Sequence, residues 1–298
     1  MFPISDDSQT IVDCLQQEVE KLGITVLTRY GVRSIKTRKG GFELEVDTQP
    51  TLFYDKVVVC TGGSPKLSGF DWLTQLGHRI QPPVPSLFTF NMPNEPIRKL
   101  MGLSVENAQV KIQGTKLQYA GPLLVTHWGM SGPAVLKLSA WGARHLNELN
   151  YQFGIQVNWT GGMKEQDIRA VMDEHLLINR KAKVLNRRLL GLPTRLWEFL
   201  IRKIEIRENI TWGEMGNKGI NRLVNILIND TYSVKGKTTF KEEFVTCGGV
   251  DLTEVDPKTM ESKLVPGLYF AGEVLDIDGI TGGFNFQAAW TTGYVAGK

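Results

Sequence analysis

The 298-residue chain has only three cysteines, Cys14, Cys60 and Cys247, which are far apart in the sequence. This spacing excludes a disulfide framework and the cysteine pair of a flavin disulfide reductase, and it is typical of a reducing cytoplasm. The four histidines have none of the spacings of a zinc site, so we predict no metal. Gly-x-x-x-x-Gly-Lys-Ser/Thr and Gly-x-Ser-x-Gly are absent, so the sequence predicts neither phosphoryl transfer nor a hydrolase nucleophile turn.

Long apolar runs are also absent. No run approaches the roughly 20 apolar residues needed to cross a bilayer, and the first residues, MFPISDD, are acidic rather than basic. We therefore expect a cytoplasmic protein with no membrane contact and no secretory signal. With 42% hydrophobic and 22% charged residues, the chain can bury a large core in two or three substructures.

The segment 267–298 is the most informative part of the sequence. A short apolar strand, Leu268–Ala271, is followed by an acidic loop, by Gly282-Gly283 and by a segment with helical spacing. This order brings bare backbone amides and the positive end of a helix dipole to the carboxyl edge of a sheet. Such a point suits a flat, electron-rich ligand, for example the N1–C2=O edge of a reduced flavin. The alternative is a closing strand–helix unit whose glycines serve only turn geometry.

A second strand ends in the same way. Tyr54–Cys60 is a run typical of a buried strand, and it stops at Thr61-Gly62-Gly63. Two strands that end in Gly-Gly turns favour a shared ligand edge over two unrelated turns.

Four segments together resemble the bacterial flavoproteins of the YhiN/BaiN-like family. They are VVVCTGGSP, GPLLVTHWGMSGPAVLKLS, FVTCGGV and TMESKLVPGLYFAGEVLDIDGITGGFNFQAAW. The resemblance runs in order from residue 2 to residue 298. It implies an NAD(P)/FAD-dependent, aminoacetone-oxidase-like oxidoreductase, in which FAD exchanges hydride with a small organic substrate and NAD(P)H is a candidate reductant. The sequence specifies neither that substrate nor the oligomeric state.

The chain departs from this family in one respect. Family members begin with a strand, a Gly-x-Gly-x-x-Gly turn and a helix that bind the ADP half of FAD, whereas here no two glycines are separated by a single residue. The chain thus resembles a member without its first portion, and we expect impaired FAD binding. The alternative is a non-catalytic truncated scaffold, or a binding module acting through its basic helices.

The predicted fold class is α/β. We expect an incomplete two-dinucleotide-type FAD-binding (Rossmann-like) domain with an inserted antiparallel β-barrel or sandwich and a helical subdomain. The predicted boundaries are 1–82 and 245–298 for the first domain, 83–160 and 229–244 for the β-rich domain, and 161–228 for the helices.

Local patterns within this frame predict individual elements. Ser8–Leu22 has helical spacing, Ile24–Thr28 is typical of a strand, and Val32–Val46 predicts a hairpin that turns at Lys39-Gly40-Gly41. The prolines at 82, 83 and 85 interrupt the pattern. Short strand-like runs follow them, among them 117–119 and 123–125, and 131–146 has helical spacing. The segment 238–250 predicts a strand that returns to the first domain.

The candidate site residues follow from the two Gly-Gly turns and from the resemblance. Asp276 is predicted to accept hydrogen bonds from ribityl hydroxyls, with a loop or capping aspartate as the alternative. His127, in a loop flanked by glycine, is the candidate proton donor, with a structural histidine as the alternative. The predicted cofactor contacts are Thr61, Gly62, Gly63, Gly248, Gly249, Gly272, Glu273, Asp276, Gly282, Gly283, Phe284 and Asn285.

Basic charge is concentrated in the helical segment. Residues 163–228 hold thirteen lysines and arginines against eight aspartates and glutamates, a net of +5, whereas the whole chain has +3. The density is highest at Arg180, Lys181, Lys183, Arg187 and Arg188. We interpret this run as a solvated helix face and do not expect a nucleic-acid partner, because no aromatic residues alternate with the charges.

Overall fold

The computed structural model describes residues 3–47, 49–238 and 245–298. It divides the chain into two compact units. Unit 1 comprises Met1–Pro83 and Gly248–Lys298, and unit 2 comprises Val84–Cys247. Among the described residues, no helix combines the length and the apolar character needed to cross a membrane.

The elements are numbered in chain order. The helices are α1 (Gln9–Lys21), α2 (Asp71–Gln75), α3 (Pro133–Trp141), α4 (Ala143–Glu148), α5 (Glu165–Asn179), α6 (Thr194–Lys203), α7 (Gly216–Ile228) and α8 (Phe284–Ala296). The strands are β1 (Val32–Arg38), β2 (Gly41–Val46), β3 (Leu52–Tyr54), β4 (Val57–Val59), β5 (Ile80–Ser86), β6 (Thr89–Asn91), β7 (Ser104–Ile112), β8 (Gln118–Val125), β9 (Gly129–Ser131), β10 (Gln152–Asn158), β11 (Asp230–Lys235), β12 (Lys237–Thr238), β13 (Val245–Val250) and β14 (Leu268–Phe270).

Unit 1 contains a three-stranded antiparallel sheet and a parallel strand pair. The sheet β1–β2–β3 confirms the predicted hairpin, and Gly40 forms its turn with φ of +88°. The pair β4 and β14 runs parallel, with Leu268 opposite Val57 and Phe270 opposite Val59. A parallel pair followed by a helix at its carboxyl edge is the arrangement that Rossmann-like folds use for ligands.

Two expectations for the start of unit 1 need correction. The predicted strand Ile24–Thr28 is wrong, because these residues form no strand, and the side chains of Ile24, Val26 and Leu27 are exposed. An isolated run of strand-forming residues has no partner for its backbone amides and carbonyls, so propensity alone does not fix it. The helix that precedes it is confirmed as α1, but its apolar face covers no core, because none of its residues is buried.

Unit 2 is built on a seven-stranded antiparallel sheet with the order β11-β10-β7-β8-β9-β6-β12. The pairings among the described strands do not close this sheet, so the predicted barrel or sandwich is not confirmed. Two predicted short strands, 117–119 and 123–125, form the single strand β8 across Pro122. The register with β7 shifts between Val105 and Ala108, opposite Pro122, and this bulge accommodates the missing backbone donor.

Helices and sheet of unit 2 share one hydrophobic core. The side chains of Trp159, Trp197 and Trp212, which are almost fully buried, come from the end of β10, from α6 and from a 3-10 turn. The predicted helix over 131–146 is interrupted at Gly142 and forms α3 and α4. A Cβ at Gly142 would lie 3.1 Å from the Leu138 carbonyl oxygen, so the interruption coincides with tight packing.

Strand β5 contains the prolines that we expected to interrupt the pattern. Pro82, Pro83 and Pro85 nevertheless lie within a strand, which pairs with β13 in a two-stranded sheet. In so small a sheet a strand has a free edge, where a residue without an N–H breaks no ladder bond. Of the predicted strand 238–250, Val245–Val250 forms β13, and 239–244 lie outside the described residues.

Candidate functional site

The two turns singled out in the sequence follow neighbouring parallel strands in unit 1. Strands β4 and β14 end side by side, and the Ala271 amide continues the ladder by donating to the Val59 carbonyl at 3.0 Å. The chain then turns through Gly62 (φ +75°) and Gly272 (φ +76°). Both turns need the left-handed conformation that glycine adopts without strain. Thr61 is exposed, and Gly62 and Gly63 are half-buried.

Helix α8 is fastened to the end of β14 by a threonine that the sequence analysis missed. The Gly272 amide donates to Thr292 Oγ1 at 2.9 Å, and this hydroxyl donates in turn to the Ala288 carbonyl at 2.7 Å. A Cβ at Gly272 would lie 3.7 Å from the Ala289 Cβ, so strand end and helix pack closely. The amide of Gly272 is therefore used inside the protein. A threonine within a largely apolar segment with helical spacing was the available signal in the sequence.

Asn285 has a similar internal role. Its carboxamide accepts from the Gly279 amide at 2.6 Å and donates to the Gly279 carbonyl at 3.1 Å. Both polar groups of the side chain are thereby engaged with one residue of the preceding loop. Asn285 thus shapes the entry to α8, and its predicted contact with a cofactor stays a prediction.

The N-terminus of α8 is open. Gly282 (φ +124°) and Gly283 (φ +85°) lead into the helix, and Gly283 has no atom within 4 Å of the place a Cβ would occupy. The first backbone bond of the helix runs from the Gln287 amide to the Gly283 carbonyl, 3.0 Å, and a helix leaves the amides before this bond without intrahelical partners. Because Gly282, Gly283 and Phe284 are exposed, this positively polarised end faces free space.

Three carboxylates, Glu273, Asp276 and Asp278, lie on the loop before α8. Burial, with a smaller contribution from the charge of Asp278, raises the pKa of Glu273. The loop is tied to the end of β13, because the Asp276 amide donates to the Val250 carbonyl at 3.0 Å. Asp276 is half-buried, a position compatible with its predicted role as an acceptor for hydroxyl groups.

The glycine pair in β13 is packed against protein backbone. A Cβ at Gly249 would lie 2.4 Å from the Val274 carbonyl oxygen, and one at Gly248 would lie 2.7 Å from the Pro82 carbonyl oxygen. Both residues are buried. The absence of a Cβ at these positions allows close approach between chain segments, and the predicted cofactor contact of the two glycines stays a prediction.

His127 belongs to unit 2, where it lies exposed in the turn between β8 and β9. The turn is closed by the Thr126 amide, which donates to the Gly129 carbonyl at 2.8 Å. Arg98 Nε donates to the His127 carbonyl at 2.6 Å, and the imidazole ring lies against Trp128 with centroids 3.9 Å apart. The backbone of His127 is therefore held firmly while its ring faces outwards.

A Ser–His–Glu arrangement also occurs in unit 1. His78 Nε2 lies 3.2 Å from Ser262 Oγ, and Nδ1 lies 3.3 Å from Glu254 Oε2. Ser262 Oγ, however, accepts from the amides of Leu264 and Val265 at 3.0 and 2.9 Å. Burial lowers the pKa of His78 despite the neighbouring Glu254. Because Ser262 and His78 are almost fully buried, this group stabilises a turn and offers no access to a substrate.

Metal ligands do not cluster in the described residues. Over 3–47, 49–238 and 245–298, no group of three or more histidine, cysteine or acidic side chains is arranged to hold a metal ion. The open helix end and the turns at Gly62 and Gly272 are features of unit 1 that could receive a ligand other than a metal ion.

Comparison with known proteins identifies the fold family. The model of the HI0933-like protein Rossmann domain matches residues 1–298. The chain belongs to the HI0933-like family. This family member is 31% identical over 303 residues to the ribosomal RNA dihydrouridine synthase of Escherichia coli, an alignment that covers 98% of the chain and 72% of the relative.

Two further relatives agree with this assignment. The family member is 28% identical over 307 residues to the 3-dehydro-bile acid delta(4,6)-reductase of Clostridium scindens, covering 100% of the chain and 74% of that protein. It is 30% identical over 303 residues to the ribosomal RNA dihydrouridine synthase of Haemophilus influenzae, covering 97% of the chain and 72% of the relative. The resemblance drawn from the sequence motifs is confirmed, and with it a Rossmann-like α/β domain.

Proposed function

We propose that this chain belongs to a flavin-dependent reductase that acts on a carbon–carbon double bond conjugated to a carbonyl group. The names of the relatives support this chemistry. Dihydrouridine is uridine in which the ring double bond conjugated to a carbonyl group is reduced. A 3-dehydro-bile acid delta(4,6)-reductase acts on double bonds that are conjugated with the 3-oxo group. For each double bond reduced, one carbon gains a hydride and the other gains a proton, so each reduction is balanced by one two-electron oxidation of the reductant.

The observation that carries the proposal is the open N-terminus of α8 behind Gly282-Gly283, at the end of a parallel strand pair. Gly62 and Gly283 both have left-handed φ and no atom within 4 Å of a Cβ position, so a flat ring could approach either turn. The free amides of the first helical turn would hold negative charge on that ring. Asp276 would accept hydrogen bonds from the ribityl chain. The bound flavin would supply the hydride.

We further infer that FAD binds weakly to the 298-residue chain and that NAD(P)H is the reductant. The pyrophosphate of FAD is usually held by a Gly-x-Gly-x-x-Gly turn, which this sequence lacks. The alternative is a non-catalytic scaffold. A reductase would still bind flavin, although weakly, whereas the scaffold would bind none.

His127 is the proposed proton donor. Its imidazole could donate a proton and neutralise the charge that forms on the substrate as hydride arrives, an effect of roughly 10²–10⁴ in rate. We expect His127→Gln to slow reoxidation of reduced flavin by the acceptor and to leave reduction by NAD(P)H unchanged. If the variant and the wild type have the same rate in each half-reaction, His127 is removed from the mechanism.

The flavin site is tested by titrating the purified chain with FAD, FMN and riboflavin and following flavin fluorescence. Gly283→Val places a branched side chain at the open helix end, and we expect at least a tenfold loss of affinity. Gly40→Val is the matched control, because Gly40 also has positive φ (+88°) and no atom near its Cβ position but lies in the β1–β2 turn. Equal affinities of the two variants would show that Gly282-Gly283 is only a structural turn.

A further inference from the structure

We propose that the unpaired edge of β4 binds the extended segment 24–28 of a second copy of this chain. The two copies exchange these segments reciprocally and form a two-fold dimer, because each chain has both the edge and the segment. An interface of this kind is self-complementary, since the same two surfaces meet on both sides of the axis. The inference concerns association of the chain with itself, and it does not depend on the proposed flavin chemistry.

Strand β4 has a neighbouring strand on one side. It pairs with β14 in a two-stranded parallel sheet, and no other described strand pairs with it. The Val57 amide donates to the Gly267 carbonyl at 3.0 Å. The Val59 carbonyl accepts from the Ala271 amide, also at 3.0 Å, so residues 57 and 59 use backbone groups towards β14. Because these groups alternate in direction along a strand, the amide and carbonyl of Val58 point to the opposite edge.

The other edge of this sheet is already occupied. The Ser262 amide donates to the Leu268 carbonyl at 2.7 Å, and the Phe270 amide donates to the Met260 carbonyl at 3.0 Å. The segment 260–262 therefore covers the far side of β14. Because two strands alone form a marginally stable sheet, a third strand beside β4 would stabilise this one.

The segment 24–28 has the composition of a strand but no partner strand. Its apolar side chains, those of Ile24, Val26 and Leu27, are exposed. In the part of the chain that the structure describes, one backbone hydrogen bond involves this segment. It runs from the Ile24 amide to the Val19 carbonyl at 3.0 Å and belongs to the end of α1. The other amides and carbonyls of the segment are therefore available to a neighbouring strand.

The segment is weakly attached to its own unit. Helix α1, which precedes it, does not anchor it, because none of the residues of this helix is buried. On the other side the segment ends at Arg29, whose φ of +64° is uncommon for a residue with a side chain. Short strained turns favour the exchange of an element between identical chains.

The edge and the segment match in charge and in side-chain type. Their sequences, VVV and ITVLT, contain only β-branched residues and leucine, which suit a strand. Pairing therefore buries no charged group. A second copy is favoured over a different protein, because it carries the uncharged and unpaired segment that this edge needs, and it is present at the same concentration as the edge.

The first test measures the mass of the purified chain by light scattering after gel filtration, over about a hundredfold range of micromolar concentrations. We expect a species of twice the monomer mass, whose fraction increases with concentration. A monomer at every concentration would overturn the proposal. A series of ever larger species would also overturn it, because reciprocal exchange ends at the dimer.

The second test blocks the edge of β4. Val58→Pro removes the N–H that points to the open edge and leaves the hydrogen bonds to β14 in place. Because one donor is lost in each of two equivalent interfaces, we expect the dissociation constant of the dimer to rise about 10- to 100-fold. Val58→Thr, which keeps the N–H and the branched shape, is the matched control and should stay within about threefold of the wild type. Equal weakening by both variants would show that the side chain, rather than the strand edge, causes association.

The third test combines a variant of each partner surface. Val26→Lys places a charge in the segment and should also weaken the dimer, whereas Phe53→Lys, at an exposed position of β3, should not. A mixture of Val26→Lys and Val58→Pro chains retains one intact segment and one intact edge. We expect this mixture to dimerise more tightly than either variant alone, which also shows that both variants are folded. The absence of mixed dimers, or an equal loss with Phe53→Lys, would overturn the proposal.

Discussion

The two units differ in how well their own residues bury their apolar side chains. In unit 2 helices and sheet share one core, and α6 and α7 cover it with fully buried residues. In unit 1 the strands β4 and β14 have three residues each, α1 buries none of its residues and α8 buries only Thr292. Side chains as large as Phe286 and Trp290 are 71% and 56% exposed. Unit 2 should therefore be the more stable of the two.

The units also carry opposite charge. Unit 1 has 12 lysines and arginines against 17 aspartates and glutamates, a net of −5, whereas unit 2 has 22 against 14, a net of +8. The near-neutral total of the chain hides this separation. A nucleotide cofactor bound by unit 1, as proposed above, would therefore depend on local dipoles such as the end of α8, because the net charge of that unit is negative.

The largest effect is expected at Asp230 in the core of unit 2. Its carboxylate accepts from Trp159 Nε1 at 2.9 Å, from the hydroxyl of Tyr232 and from Lys203 Nζ. Asp230→Ala leaves a buried indole, a phenol and an ammonium group without their acceptor, which should cost about 3–5 kcal/mol in the free energy of unfolding. Denaturant unfolding measures this, with the exposed Asp173→Ala as control. A loss below about 1 kcal/mol would contradict the idea that unit 2 depends on this network.

A smaller effect is expected at two glycines of unit 1, the buried Gly249 and the exposed Gly283. Gly249→Ala places a Cβ 2.4 Å from the Val274 carbonyl oxygen at φ of +145°, and should cost about 2–3 kcal/mol. Gly283→Ala also has positive φ but meets open space, so about 1 kcal/mol is expected. Thermal unfolding of the two variants separates backbone crowding from backbone strain. Equal losses would show that Gly249 tolerates a side chain.

Acid should weaken unit 1 through Asp251. This nearly buried carboxylate accepts from Thr253 Oγ1 at 2.6 Å, from Gln81 Nε2 at 2.7 Å and from Arg79 Nε at 2.8 Å. Hydrogen bonds from Thr253 lower the pKa of Asp251 most, followed by those from Gln81. The stabilisation is therefore present above the unfolded pKa of about 4 and is lost as pH falls below it.

We expect Asp251→Asn to be less stable than the wild type at pH 7 and to lose less stability between pH 5 and pH 3. Urea unfolding at both pH values measures the difference, and the exposed Asp13→Asn serves as control. The same pH dependence in wild type and Asp251→Asn would exclude this carboxylate as a source of acid sensitivity.

The smallest effect is expected on the exposed face of α1. Leu15 is 60% exposed, so Leu15→Gln should change the free energy of unfolding by no more than about 0.5 kcal/mol. Leu200→Ala, in the core of unit 2, should cost about 2–5 kcal/mol. Unfolding of both variants tests the contrast between the units directly. A large loss at Leu15 would mean that α1 is packed in solution.

Local patterns in the sequence determined several parts of this protein. The hairpin β1–β2, the short strands β4 and β14 and the start of α8 follow from alternation, apolar runs and glycine pairs, because these signals act within a few residues. The family could also be predicted from motifs, and the comparison confirms it. The open helix end at Gly283 could also be predicted from a local pattern, because glycines that precede a helix leave its first amides accessible.

Only the tertiary structure decided which patterns are used. Residues 24–28 form no strand, because a strand needs a neighbouring strand and propensity alone does not supply one. The proline-rich β5 is a strand because β13 pairs with it. Thr292, Asn285, Gly248 and Gly249 acquire internal contacts that depend on segments distant in the sequence. In unit 2, Lys99 and Arg195 line the same cleft although they are far apart in the sequence, because charge density along a chain does not show which cations share a surface.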